Sequence, residues 1–401
     1  MKIAKIFIGS PTNRKGFFNN VIERIRHINS VYPETQSFLI RYYDDFFLRL
    51  LKFKFRKESR VEICEIDGIV LNCIWVKHSL VNHLLTYTFK IKGLVCDYSL
   101  HSYVNIFAKF DLISPHGLPA IYLAGLVKIK YGIPFVPTWH GSDINIEPFV
   151  NFKTKQLTIR MLELADYNFF VSKKLLEQSY KLSGLNNKIH LYSGVSTLFF
   201  KYSEIQKAQI RKKLKTELTK IVSYVGNLNN IKNVLLLPRI FSMIQQDFRH
   251  VSFFIVGDGR LEQQIKIKCQ KHNLNNIYFF GKQNSNFVAD LLNVTDVLLI
   301  TSLNEGLPRV ILEATNCGVP VVASKVGGIP EVVSHENLFE LNDLFCFNVA
   351  RRTTEILNGG TVSASLDEEF NWHFTLKKEV EIYKQIFNSK FKYVYSVSSS
   401  D

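Results

Sequence analysis

From end to end the chain repeats one pattern: a short apolar run, a turn, then a longer stretch whose apolar residues recur at helical spacing. Short apolar runs make buried strands and a 3.6-residue period makes amphipathic helices, so their alternation predicts parallel α/β units. In the first half the expected strands are Lys2–Ile8, Ser37–Tyr42, Ile69–Val76, Asp111–Ser114, Pro134–Thr138, Tyr167–Val171 and Lys188–Tyr192. Helical stretches include Phe17–Asn29, Leu118–Tyr131 and Lys173–Ser183. The alternation pauses around Ser193–Ser196, crosses the basic stretch Lys201–Lys215 and restarts. In the second half Lys220–Val225, Val251–Val256, Asn276–Phe280, Asp296–Thr301 and Pro320–Ala323 are expected strands, with helices at Lys232–Gln246, Arg260–His272 and Pro308–Cys317. A chain of 401 residues exceeds one ordinary hydrophobic core. The expected architecture is two doubly wound domains, residues 1–196 and 197–375, with residues 376–401 as a C-terminal helix packing back on the first domain and a polar tail.

Charge narrows the partners. The formal net charge is +15, and residues 1–60 alone carry 13 Lys and Arg against 5 Asp and Glu. A polyanion is therefore expected near the N-terminal half, either nucleic acid or an anionic bilayer. Tyr43–Lys57 interleaves Phe46, Phe47, Leu48, Leu50, Leu51, Phe53 and Phe55 with Arg49, Lys52, Lys54, Arg56 and Lys57, which suits an interfacial membrane segment and equally an ordinary amphipathic element on a sheet. No apolar run is long enough to span a bilayer. The six cysteines lack CxxC spacing, which argues against a zinc site, a redox pair or a disulfide framework and fits a reducing cytoplasm.

In open parallel sheets ligands bind beyond the carboxyl ends of strands. The segment Ser302-Leu303-Asn304-Glu305-Gly306-Leu307-Pro308-Arg309-Val310-Ile311-Leu312-Glu313 lies there, after an apolar strand and opening a helix at Pro308. A helix start offers free backbone N–H groups and a positive dipole end, a natural seat for a diphosphate. Glu305 and Glu313 bracket it, one placed to accept hydrogen bonds from sugar hydroxyls and the other from a ribose.

The Glu-x7-Glu pair and the following Cys317-Gly318-Val319-Pro320 through Gly327-Gly328-Ile329-Pro330-Glu331 resemble glycosyltransferase family 4, the group 1 glycosyl transferases. The resemblance implies a GT-B fold of two Rossmann-like domains facing a cleft, a nucleotide-sugar donor, retention of anomeric configuration, and no cofactor or metal. It extends to Gly226-Asn227-Leu228-Asn229-Asn230-Ile231-Lys232, where the family usually places an Arg and a Lys on the donor diphosphate. Lys232 holds the Lys position, whereas Asn227 stands where Arg is commonest; Arg309 is a candidate to compensate. Val256-Gly257-Asp258-Gly259 lacks the third glycine of a dinucleotide fingerprint, because Glu262 occupies that place, and family resemblance gives it secondary donor contacts. Gly281, Lys282 and Gln283 fall where family members hold the base.

In the first half, Trp139-His140-Gly141-Ser142-Asp143 resembles the family's His-Gly-x-Asp element, with His140 bonding the transferred sugar or polarising an acceptor hydroxyl in either protonation state. The plainer alternative is that Asp143 caps a helix over a packed His140. His116 is a second candidate at a strand end, and Gly16 matches the family's glycine-rich loop beside donor phosphate and acceptor.

The expected function is transfer of a hexose-type sugar from a nucleotide diphosphate to a lipid-linked saccharide, in bacterial surface polysaccharide assembly on the cytoplasmic face of the inner membrane. Departure of the diphosphate is to be stabilised by Lys232, Asn227 and the Gly306–Arg309 helix start, with Glu305 on the sugar, Glu313 on the ribose and His140 at the reacting edge. Three rivals compete. A sugar-nucleotide epimerase shares the architecture but needs acid/base groups on the sugar itself. An oxidoreductase lacks a G-x-G-x-x-G after any strand. A nucleic-acid binder explains the charge yet leaves Glu305 and Glu313 without purpose, so no nucleic-acid partner is expected.

Overall fold

The computed structural model describes residues 1–9, 16–44, 62–78, 100–360 and 365–397. The basic-aromatic segment beyond Asp44, most of the loop before Gly16, Cys96 and the last four residues lie outside the described residues. The chain forms two compact units, one from residues 1–193 with 372–401 and the other from 194–371.

The first unit holds an eight-stranded sheet in the order β3-β4-β2-β1-β5-β6-β7-β8. Its strands are β1 (Ile3–Ile8), β2 (Gln36–Asp44), β3 (Ile63–Ile66), β4 (Ile69–His78), β5 (Leu112–His116), β6 (Thr138–Trp139), β7 (Asn168–Phe170) and β8 (Lys188–His190). All pairings are parallel except the β3–β4 hairpin, which turns through Asp67-Gly68, both at positive φ. β3 was not expected, and there Cys64 and Cys73 bring their thiols to 3.6 Å although nine residues separate them. The helices are α1 (Gly16–Val31), α2 (Leu118–Tyr131), α3 (Ser142–Asn145), α4 (Phe152–Leu164) and α5 (Lys173–Tyr180). α2 is apolar almost throughout, starts with Pro119 in its first turn and stops at Gly132 in the left-handed region.

The second unit has a six-stranded parallel sheet, β11-β10-β9-β12-β13-β14. Its strands are β9 (Lys220–Val225), β10 (Val251–Val256), β11 (Ile277–Gly281), β12 (Val297–Ile300), β13 (Val321–Ser324) and β14 (Leu338–Phe339). Around it lie α6 (Glu204–Leu214), α7 (Leu237–Asp247), α8 (Glu262–Lys271), α9 (Ser285–Val294), α10 (Arg309–Asn316) and α11 (Phe345–Leu357). The basic stretch after residue 200 is thus the helix α6, begun by a capping box in which Ser203 and Gln206 exchange hydrogen bonds. Its chain ends meet, Val195 N–H donating to the Phe370 carbonyl at 3.0 Å.

The last helix, α12 (Trp372–Val397), belongs to the first unit, where Tyr383 and Ile386 pack with Ile3, Leu112 and Phe169. It also delivers a carboxylate to the core. Glu379 is fully buried, 2.7 Å from Lys5 Nζ on β1 and 3.4 Å from Arg24 Nε on α1. Lys5 donates further to Ser114 and Tyr383, and Arg24 to Thr138 at 2.6 Å. Burial is the main reason the Lys5 ammonium falls to about 8, with Glu379 opposing the shift. Burial alone would raise Glu379, but Arg24 and Lys5 together outweigh it and hold the carboxyl below its ordinary value. An isolated Lys in a central strand would be costly; this one is tolerated because a partner meets it.

Candidate functional site

Among the parallel strands of each sheet the order reverses at one point, and the loops flanking that reversal are where ligands are expected. In the second unit the reversal lies between β9 and β12. The loop after β9 carries Gly226, Asn227 and Lys232, and the loop after β12 runs from Thr301 to Pro308. Backbone bonds tie the two together: Leu303 N–H donates to the Ile231 carbonyl at 2.7 Å, and Thr301 Oγ1 to the Lys232 carbonyl at 2.8 Å.

This seam brings Lys232 and Glu305, 73 positions apart, into a direct ion pair through Nζ and Oε1. The same Glu305 oxygen accepts from Ser302 Oγ at 2.7 Å. The side chains are 24% and 12% exposed, so both charges are partly desolvated. Behind them, Tyr224 is buried and donates its hydroxyl to the Asn227 carbonyl at 3.0 Å; burial, then the Glu305 charge, pushes its phenol well above the ordinary value. Asn227 is half-buried. Lys232 sits in a turn before a short 3-10 segment, and α7 begins only at Leu237, so the expected helix start at Lys232 is displaced.

Glycines make the seam possible. At Gly327, φ is +55° and a Cβ would stand 1.9 Å from the Glu305 carbonyl oxygen, while the neighbouring Gly328 N–H donates to the Gly306 carbonyl at 2.9 Å. At Gly257, φ is +132° and a Cβ would meet the Gly226 carbonyl oxygen at 1.9 Å. The Gly257-x-Gly259 turn therefore seats the 226–228 loop through backbone contact, rather than cradling a dinucleotide.

Pro308 is the residue before α10 rather than its first turn, and no side chain caps the helix there. Its apolar face anchors it, Ile311, Leu312 and Ala314 being buried, and the residues leading into it, Gly306 and Pro308, are buried with Leu307 half-buried. Arg309 and Glu313 lie 3.4 Å apart one turn along the same helix, so the cation considered as a substitute at position 227 is engaged with the expected ribose carboxylate. Gly281 ends β11, its carbonyl accepting from Gly257 N–H at 2.8 Å. Lys282 and Gln283 beyond it are exposed, Gln283 donating to the Phe280 carbonyl at 2.6 Å.

In the first unit the reversal lies between β1 and β5. His116 ends β5 beside Phe7, and its other neighbour is Thr138 of β6, two residues before His140. The imidazoles meet, His116 Nδ1 to His140 Nε2 at 3.1 Å, and Phe17 of α1 packs edge-on against His140 at 4.7 Å between ring centres. Burial first, then the Arg24 charge, lowers His140 to about 3; burial, then Lys5, His140 and Arg24, takes His116 well below its ordinary value. Both shifts favour the neutral imidazole, and one ring then donates to the other. His116 Nε2 is buried without a hydrogen-bond partner. Asp143 spends its carboxylate on its own loop, accepting from the backbone N–H groups of His140 at 3.1 Å and Gly141 at 2.8 Å. Burial raises it to about 6 against those bonds. Gly16 opens α1 at the edge of the described residues. The contact between the two histidines was not legible from a spacing of 24; the pairing of β5 with β6 creates it.

Among the described residues no cluster of three or more His, Cys, Asp or Glu could hold a metal, and no helix is long and apolar enough to cross a membrane.

Residues 206–348 match the family model described as glycosyl transferases group 1. The chain is 31% identical over 231 residues to a putative teichuronic acid biosynthesis glycosyltransferase, TuaC, of Bacillus subtilis (strain 168), spanning 57% of each. It is 29% identical over 292 residues to the N-acetyl-alpha-D-glucosaminyl L-malate synthase of Bacillus anthracis, covering 70% of this chain and 72% of that one. Among solved structures, Anabaena HepE in complex with UDP superposes with a TM-score of 0.74 at 18% identity, over 96% of this chain and 100% of that one. The two parallel-sheet units are those of a GT-B fold. The seam of Lys232 and Glu305 lies inside residues 206–348, the region in which this chain matches the group 1 glycosyltransferase family.

Proposed function

We propose that this protein is a retaining glycosyltransferase that moves a hexose-type sugar from a nucleotide diphosphate to a lipid-linked saccharide acceptor. The observation that carries the reading is the Lys232–Glu305 pair beside the uncapped start of α10. An incoming diphosphate competes for the ammonium, which exchanges a carboxylate for a phosphate oxygen, and the freed Glu305 accepts hydrogen bonds from sugar hydroxyls. The bond from the anomeric carbon to the leaving phosphate oxygen breaks through an oxocarbenium-like state. The acceptor hydroxyl attacks from the same face and its proton passes to the departing phosphate. Lys232 and the backbone N–H groups of the α10 start stabilise the charge that develops, so the proposed reaction needs no metal and no cofactor. His140, half-buried and with its pKa lowered, serves as a neutral hydrogen-bond partner at the reacting edge rather than as a cation.

UDP bound to HepE, of the same fold, supports a UDP-sugar as the first donor to try, and the teichuronic acid assignment of TuaC supports a surface-polysaccharide acceptor. A lipid-linked acceptor would put the protein at the cytoplasmic face of the membrane. A small soluble acceptor is the second reading, favoured by the name of the malate synthase relative. The test is donor turnover by purified protein with UDP-sugars. Glu305→Ala is expected to lower it about a hundredfold or more. Unchanged turnover in that variant removes the assignment.

A further inference from the structure

α4 runs antiparallel to the strands it links, as a crossover between β6 and β7 must, so its first turn lies at the sheet edge where His116 and His140 end their strands. The approach to that turn is unusual. Phe149, Val150 and Phe152 are 58%, 38% and 73% exposed, three large apolar side chains within four positions. Their backbone is anchored on both sides: Pro148 is buried in the 3-10 turn Glu147–Phe149, and Asn151 caps α4 by accepting from Thr154 N–H at 2.9 Å. From Phe149 to Leu162 the charged residues are Lys153, Lys155 and Arg160, with no acidic residue, and Lys155 Nζ stands 6.0 Å from the Phe149 ring centre. Clustered exposed aromatics cost solubility unless something covers them, and the cations select what covers them.

We infer that the Phe149–Lys155 apex is a membrane-docking surface that inserts Phe149 and Phe152 among the lipids of an anionic bilayer while Lys153 and Lys155 meet the headgroup phosphates. Amphipathic insertion of this kind combines buried apolar area with attraction to anionic lipid, each nearby cation strengthening it roughly fivefold. A rigid aromatic apex at the histidine edge would hold that edge at the lipid surface. The inference takes its purpose from the proposed lipid-linked acceptor, but its test does not need a sugar.

The experiment is co-sedimentation of the full chain with vesicles of phosphatidylcholine and phosphatidylglycerol at roughly two to one, and with phosphatidylcholine alone. Wild type is expected to bind the anionic vesicles preferentially, and less at high salt. Phe149→Ser with Phe152→Ser is expected to weaken binding about tenfold or more with the melting temperature and donor turnover unchanged. Lys153→Glu with Lys155→Glu is expected to abolish the anionic preference. If wild type ignores the vesicles, or the Phe variant binds as well as wild type, the docking surface is wrong; a surface that covers a protein partner instead gives the first of these. If the Phe variant still glycosylates a lipid-linked acceptor at the wild-type rate, the surface falls and the acceptor reading stands. If vesicles are bound through the apex yet transfer proceeds only to soluble acceptors, the surface stands and the acceptor reading falls.

Discussion

Lys232 and Glu305 hold opposite charges, both partly desolvated, so removing either strands the other. Lys232→Met leaves a carboxylate to repel the diphosphate, and Glu305→Gln leaves the ammonium for it but loses the sugar acceptor. Both are expected to lower kcat/KM by about 10²–10³. Because the groups are in direct contact, the double variant should lose much less than the product of the single losses; multiplicative losses in steady-state kinetics would mean that they act separately. Asp143 offers a pH test with a definite sign. Its folded value of about 6 lies above the ordinary 3.8, so between these values the native state keeps a proton that the unfolded chain has released. Stability from this residue therefore falls as pH rises from about 4 to about 6. The melting temperature of wild type relative to Asp143→Asn should drop over that interval; a constant difference would mean that the carboxyl is not desolvated. At this scale the sequence singles out Lys232, Glu305 and Glu313 as candidates, because the strings around them are dense in informative residues. The Arg309–Glu313 pair follows from their i,i+4 spacing on α10, but the Lys232–Glu305 pair was not readable in advance, since it depends on how β9 and β12 lie side by side.

Elements were legible in proportion to their local patterning. β9, β10 and α2 fall at the expected residues, each a mainly apolar run or apolar helix with clear stops. The helix α6 was passed over as a basic connector because charge hid a polar helix with little buried face, though Ser203 and Gln206 already spelled its capping box. β3 and β14 are short edge strands whose pairing comes from their neighbours. The buried Lys5 was readable only as an interruption in an apolar run, since its partner Glu379 lies 374 positions away on α12. That long-range bond ties α12 to β1 and gives a sharp expectation. Glu379→Gln leaves Lys5 and Arg24 as buried cations without a counter-charge and should destabilise the first unit by about 3–5 kcal/mol. Adding Lys5→Met should recover part of the loss, because one stranded charge disappears and Arg24 keeps its bond to Thr138. Urea unfolding of the two variants decides this; equal stability of Glu379→Gln and wild type would mean that the carboxylate is dispensable.

For the whole molecule, the chain path matters more than the domain count. The chain leaves the first unit at Ser193, builds the second, and returns at Trp372 to complete the first with α12. The second unit is thus an insertion whose ends are joined to each other, Val195 to Phe370, and whose cores draw only on its own residues. A unit with adjacent ends and its own core can fold alone. Residues 194–371 produced by themselves should unfold cooperatively and still bind a UDP-sugar, since Lys232, Glu305 and the α10 start are all inside. Saturation at about a hundred times Kd should raise the stability of this fragment by about 2.7 kcal/mol. Residues 1–193 alone lack Glu379, Tyr383 and Ile386, so Lys5 loses its counter-charge and Ile3 and Phe169 lose their cover. That fragment should not fold cooperatively until a peptide of residues 372–397 is added. Calorimetry of the two fragments, with and without UDP-sugar, measures both expectations. A folded 1–193 fragment would show that α12 only decorates the first unit, and an unfolded 194–371 fragment would show that the second unit depends on its host.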